Sequence, residues 1–280
     1  MIPGIVASIR RGGSSSGDPY FDSVVSLLHF DQNPIATFRD QRGKTWTPAG
    51  DAHISTDQSK FGGASLRLDG TGDYISTPHS TDFNTATPFT VECWFRAAVL
   101  PSVSGQAKYL CSKLDSGTYL RGFILAISAT NRPYFTLGNG NAEVSVSDAS
   151  FPQIEANRWY HIAGTFDGTT MRLFLDGVML PETHVVTPAN STSGALQIGR
   201  DANNSARDWN GWIDDFRFTQ GVARYTNNFT PPTAAHPDGK FDPHFSNVLL
   251  LAGFDGADGA VTAIDESLFA RTLIFIGNAQ

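Results

Sequence analysis

Apolar residues recur at every second position through much of this chain. In Phe89-Thr-Val-Glu-Cys-Trp-Phe-Arg96, the residues Phe89, Val91, Cys93 and Phe95 fall on one face, and Thr90, Glu92, Trp94 and Arg96 on the other. A period of two belongs to a strand with one face in a core. Gly122-Phe-Ile-Leu-Ala-Ile-Ser128, Tyr134-Phe-Thr-Leu-Gly138, Trp159-Tyr-His-Ile-Ala-Gly-Thr-Phe166 and Met171-Arg-Leu-Phe-Leu175 predict further strands. Asp167-Gly168 and Asp176-Gly177 supply Asp-Gly turns beside the last of these. No stretch carries a helical period. Repeated short strands with Gly, Asn and Asp turns predict an all-β sandwich or barrel.

The pattern breaks at both ends. Met1 to Ile9 is apolar, Arg10-Arg11 is basic, and Gly12 to Gly17 has the composition of a flexible linker. Ile2, Ile5, Val6 and Ile9 are costly to leave in water. With Arg10 and Arg11 they are expected to form an arm, residues 1–23, that docks on a partner or on the domain behind it. At the other end, Val248-Leu-Leu-Leu-Ala-Gly-Phe-Asp255 echoes Val25-Ser-Leu-Leu-His-Phe-Asp31. Asp265-Glu-Ser267 echoes Asp40-Gln-Arg42, and Gly277-Asn-Ala-Gln280 echoes Gly50-Asp-Ala-His53. The expected organisation is the arm (1–23), one sandwich (24–237), then a linker and the beginning of a second, incomplete repeat (238–280). A third of a sandwich leaves sheet edges unpaired. Either the chain is a piece of a longer protein, or this tail adds strands to its own domain or to a neighbouring subunit. Homo-oligomerisation is the expectation in the last case.

Composition narrows the function classes. The 280 residues carry a formal net charge of −7, with 40% hydrophobic and 17% charged residues. That charge is wrong for a general binder of nucleic acid or anionic lipid. No apolar run is long enough to span a membrane. At the N-terminus the basic residues follow the apolar stretch, so it does not read as a signal peptide. Cys93 and Cys111 lie in apolar strand-like runs and are expected to be buried free thiols.

Several motifs now carry a family resemblance. They are Leu27-Leu-His-Phe-Asp31, Phe61-Gly-Gly-Ala-Ser-Leu-Arg-Leu-Asp-Gly70, Gly72-Asp-Tyr-Ile75, Phe89-Thr-Val-Glu-Cys-Trp-Phe95, Arg158-Trp-Tyr-His-Ile-Ala163, Leu173-Phe-Leu-Asp-Gly177 and Gly211-Trp-Ile-Asp-Asp-Phe-Arg-Phe218. In this order they resemble the laminin G-like, concanavalin A-like jelly roll over residues 24–237. Gly221-Val-Ala-Arg-Tyr-Thr-Asn-Asn-Phe-Thr-Pro-Pro232 resembles the version found in structural proteins of tailed bacteriophages. The resemblance implies two antiparallel sheets, one of them curved, with rim loops that bind ions or sugars in some members. It also implies a virion component (tail, fibre or capsid decoration) assembled in the host cytoplasm, whose arm meets other virion proteins and whose sandwich contacts proteins or a host-surface glycan. The alternative is a carbohydrate-binding adhesin domain at a cell surface or outside the cell.

Candidate chemistry is sparse. Glucanases of this fold place acidic residues on one face of one strand, so that one carboxyl donates a proton and its neighbour stays ionised. The chain has no Glu-x-Asp-x-Glu run, and Asp214-Asp215, adjacent in a strand, should point to opposite faces. A polysaccharide hydrolase is therefore the disfavoured reading, and no enzyme activity is expected. No Gly-x-Ser-x-Gly elbow, cysteine nucleophile motif or zinc spacing is present. For calcium, the resemblance makes the first and last strands neighbours, which would bring Asp31 and Asp40 toward Asp214. For sugar, Trp94, Trp209 and Trp212 with Asn203 and Asn204 are the candidates, since a flat ring stacks on a pyranose and amides fix its hydroxyls.

Overall fold

The computed structural model describes residues 17–31, 38–147, 149–191, 193–239, 262–264 and 272–274. Strands are numbered in chain order: β1 Val24–Leu28, β2 Phe38–Arg39, β3 Thr45–Ala49, β4 His53–Ser55, β5 Ser65–Asp69, β6 Tyr74–Thr77, β7 Phe89–Ala97, β8 Lys108–Leu114, β9 Gly122–Ile127 and β10 Pro133–Gly138. There follow β11 Glu143–Val146, β12 Trp159–Phe166, β13 Thr170–Leu175, β14 Val178–Met179, β15 His184–Val185, β16 Leu196–Ile198, β17 Asn210–Gln220, β18 Thr262–Ile264 and β19 Thr272–Ile274. One helical turn, α1, spans Pro101–Ser104.

Ser23–His236 forms one compact unit. Its first sheet runs β14-β13-β12-β7-β17-β5-β4, with β1 also on β17 and β15 on β13; its second runs β11-β10-β9-β8-β16-β6-β3-β2. All the pairs are antiparallel, as expected of a jelly-roll sandwich. The alternation seen in the sequence sets the inner face. Phe89, Val91, Cys93 and Phe95 of β7 meet Phe123, Leu125, Phe135 and Leu137 of the opposing sheet in a single buried cluster. Phe89 sits at its centre, stacked on Phe218 at 5.4 Å and within 6.4 Å of Phe123, Phe135 and Phe166. Gly164 of β12 makes that approach possible, because a Cβ there would lie 2.8 Å from the Phe135 ring. Cys93 and Cys111 are free and buried, and burial pushes both thiols up from their ordinary pKa.

Strand β17 departs from simple alternation. Its pairing with β7 shifts register between Asp214 and Arg217, and Asp215 adopts φ 47. This is a β-bulge, which re-aims the side chains beyond it. A regular strand would put Asp214 on the face of Phe216 and Phe218. Instead Asp214 lies opposite Trp94 on the outer face, while Phe216 and Phe218 point into the core.

Residues 1–22 and 237–280 group as a second unit. Within it β18 pairs with β19, Ile264 opposite Thr272 and Ala263 opposite Leu273. The first copy pairs Arg39 with Thr45 and Phe38 with Trp46. The echoed residues Asp265-Glu-Ser267 and Gly277-Asn-Ala-Gln280 lie outside the described residues. The arm residues Ile2, Ile5, Val6, Ile9, Arg10 and Arg11 lie outside the described residues.

Candidate functional site

The outer face of the larger sheet carries the chemistry, and most of it is closed. The segment 221–236 runs across that face as a strap. Thr90 Oγ1 donates to Val222 O and accepts from Arg224 N, and Thr165 Oγ1 donates to Tyr225 O. Tyr225 stacks on Phe229 at 3.6 Å, and both rings pack edge-on against Phe174 of β13.

Under the strap is a buried ionic network. Arg217 Nε and Nη2 both donate to Glu92 Oε1, at 2.9 and 2.7 Å, and Tyr225 OH donates to Oε2 at 2.9 Å. His161 Nε2 lies 3.2 Å and His236 Nε2 3.9 Å from the same Oε2. His236 N donates to Asp215 Oδ2, and His29 Nδ1 contacts Asp215 Oδ1 at 2.7 Å. Burial opposes the charge on Glu92, yet the Arg217 guanidinium and the two histidines hold its carboxyl well below the usual carboxylate range. Burial, with Arg217 beside it, brings His236 down to about 4. His161 is the least well served member: neither ring nitrogen makes an aligned hydrogen bond, and its ring packs edge-on against Trp94 and Phe229.

Glu92, His161 and His236 form the only group with metal-ligand spacing among the described residues. Arg217 and Tyr225 already take both Glu92 oxygens, so the set fits a structural lock better than an ion site. The three carboxylates expected to share a calcium ion, Asp31, Asp40 and Asp214, have different surroundings. Asp31 does come near Asp214, since β1 pairs with β17 and the Asp31 charge helps raise the Asp214 pKa. Asp40 is elsewhere, receiving Ser26 Oγ, Trp46 Nε1, Leu27 N and Arg42 N. These four donors occupy both oxygens of the Asp40 carboxylate. Asp214 is fully buried and accepts Lys60 N, Phe61 N and Asp215 N. Burial, helped by the charges of Asp215 and Asp31, pushes it up to about 7.

The five predicted sugar contacts do not come together. Trp209 is 0% exposed and packs against Phe95 inside the sandwich. Trp94 faces outward, as alternation predicts, but Lys60 Nζ sits 3.7 Å from its ring and Phe61 covers it edge-on. Asn203 ties loops together, accepting Gly117 N and donating to Thr118 O, and Asn204 caps a 3-10 turn at Ala206 N. Of the three tryptophans, Trp212 alone is part-exposed.

Trp212 belongs to a row that sequence reading missed. Register places His53, Arg67, Trp212, Arg96 and Trp159 side by side across β4, β5, β17, β7 and β12. At about 4.8 Å per strand the row is roughly 19 Å long. His53 is exposed and the other four are part-exposed. The Arg67 guanidinium lies 4.7 Å and that of Arg96 5.7 Å from the Trp212 ring.

The family model described as the concanavalin A-like lectin/glucanases superfamily matches residues 69–223. Among curated protein sequences none matches the chain. Solved structures share the fold at low identity. The binding domain of Paraclostridial Mosquitocidal Protein 1 superposes with TM-score 0.54 at 13% identity, over 72% of this chain and 49% of that one. The botulinum neurotoxin serotype D binding domain gives 0.54 at 16%, over 72% and 49%. Domain 4 of AbnA, an extracellular arabinanase from Geobacillus stearothermophilus solved with arabinotriose, gives 0.50 at 14%, over 72% and 94%. The chain thus spans about half the length of those toxin domains. With the family model covering more than half of the sequence, and two facing antiparallel sheets beneath it, the chain belongs to the concanavalin A-like lectin/glucanase superfamily.

Proposed function

We propose that the sandwich is a non-enzymatic glycan-binding module, borne by a structural protein of a tailed-phage virion. The observation that carries the binding reading is the part-exposed row on the outer face. There Trp159 has no aromatic partner among the described residues and stands in register with Arg96. An open indole beside a guanidinium offers a stacking surface and hydrogen-bond donors together. Arabinotriose in the AbnA domain is in keeping with this reading, as are the toxin binding domains. The absence of catalysis is inferred from the acids. Glu92, Asp214 and Asp215 are fully buried under donors, and no substrate oxygen could meet them without displacing the strap or the loop carrying Lys60 and Phe61.

The virion setting rests on the sequence of the strap, Gly221 to Pro232. Glycan-array binding by the intact chain, lost in Trp159→Ala at unchanged urea midpoint, is the expected result. An empty array, or release of reducing ends from a bound polysaccharide, overturns the binding or the non-enzymatic half respectively. Mass spectrometry of purified particles tests the virion half, which fails if the protein is absent from them.

A further inference from the structure

Several cations of the sandwich make no ion pair among the described residues, Arg132 on Phe151 O and Lys108 on Ala206 O for example, but Arg67 and Arg96 flank one part-exposed indole, Trp212. Others are matched to acids. Arg172 pairs with Asp167, Arg207 with Asp201, Arg217 with Glu92 and Arg158 with Asp176. Neither Arg67 nor Arg96 pairs with a carboxylate among the described residues, although the chain is acidic overall. Arg67 spends Nη1 on two carbonyls, Leu68 O and Gly211 O. Arg96 holds Asn157 through both terminal nitrogens, and its Nε has no partner. The one carboxylate on the same face of β5, Asp69, turns to its own loop and accepts Thr71 N. Two guanidiniums are thereby fixed by backbone oxygens and by the indole between them, with their charge left uncompensated. Their strands flank β17, so their backbones stand two strand spacings, about 10 Å, apart.

A neutral sugar would use the indoles of Trp159 and Trp212 and gain little from these charges. A planar carboxylate is what a fixed guanidinium fork matches best. We propose that the row His53-Arg67-Trp212-Arg96-Trp159 recognises the carboxylates of an acidic polysaccharide, a uronic-acid polymer lying across the strands. This deepens the glycan reading above and rests on it. A net charge of −7 makes the rest of the surface repel a polyanion, so attraction must be local to a patch such as this one.

The test is titration of the intact chain with sodium polygalacturonate and with the same polymer after carboxyl reduction, at physiological salt. Wild-type protein is expected to bind the polyuronate at least tenfold more tightly than the reduced polymer. Arg67→Gln/Arg96→Gln should lose tenfold or more on the polyuronate alone. Arg67→Lys, which keeps charge but not the fork, should fall between. Arg158→Gln, whose charge is already paired with Asp176, should bind as wild type. Urea midpoints confirm that each variant is folded. Equal binding of reduced and native polymer, or undiminished binding by the double variant, overturns acidic recognition while leaving a glycan module standing. Failure to bind either polymer, together with an empty glycan array, overturns both.

Discussion

Replacing Asp214 with Asn should convert a nearly pH-independent stability into a pH-dependent difference whose sign changes. The native carboxyl, buried and close to Asp31 and Asp215, ionises only at about 7 rather than at 3.8. Its contribution to stability is fully present below 3.8 and is lost as pH rises through 7, because the folded state must then carry a buried charge. At about 1.36 kcal/mol per pH unit, that gap amounts to about 4 kcal/mol. An Asn never ionises, so the stability of Asp214→Asn relative to wild type should climb by about 4 kcal/mol between pH 4 and pH 8. At pH 4 the variant should be the weaker protein. Its carboxamide has one acceptor oxygen, which Lys60 N and Phe61 N share, and its NH2 then faces Asp215 N. A donor left facing a donor costs about 1–3 kcal/mol. At pH 8 the order should reverse.

In the wild-type protein this trend is masked by His236. Its folded value of about 4, against the ordinary 6.5, gives a contribution present above 6.5 and lost as pH falls through 4. That contribution is about 3 kcal/mol and opposite in sign. Urea denaturation of both proteins at pH 4, 5, 6, 7 and 8 is the assay. A difference between them that stays constant across that range would show that Asp214 titrates as a solvated carboxyl, and the account of its burial would be wrong.

Two further outcomes follow from the same face and from the core. Glu92→Gln leaves Arg217 buried without its counter-charge, so it should cost about 3–5 kcal/mol. In a domain of this size that lowers Tm by roughly 6–20 °C by calorimetry, whereas Tyr225→Phe, which removes one hydroxyl donor from the Glu92 carboxylate, should cost only about 1.5–3 kcal/mol. Cys93 and Cys111 should resist thiol reagents in the native protein and react only as fast as it unfolds, since thiolate formation is suppressed by burial; labelling faster than global unfolding would contradict the packed interior.

How much of this was legible in the sequence depends on which spacing carries the information. The inner face of β7 was readable, because Phe89, Val91, Cys93 and Phe95 alternate with polar residues and the core uses that alternation. The same rule separates Trp209 from Trp212. Trp209, Gly211 and Ile213 fall on the buried face, while Asn210, Trp212 and Asp214 face out. Grouping the two indoles by proximity along the chain overlooks this. Two features had no local signal. The bulge at Asp214 to Arg217 depends on how many residues β7 offers opposite them, and it moves Asp214 away from the phenylalanines. The row from His53 to Trp159 draws one residue from each of five strands spread over residues 53–212, so it exists only once pairing is known.

The strap explains where the open part of the sheet must lie. Glu92, Arg217, Thr90 and Thr165 are polar outward-facing positions that a bare sheet would show to water, yet all four are buried. The cover over them is a segment whose own carbonyls and phenol complete their hydrogen bonds. A polar sheet face covered in this way has no donors left for a ligand. One register further toward the start of β17, the loop at Lys60 and Phe61 closes over Trp94 and Asp214. The next register, where Trp212 faces Arg67 and Arg96, keeps side chains that are both held in place and part-exposed. A ligand that reads this row meets side chains the strap does not cover, so removing Trp159 and Arg96 together should abolish its binding, whereas loosening the strap with Tyr225→Phe should leave it intact.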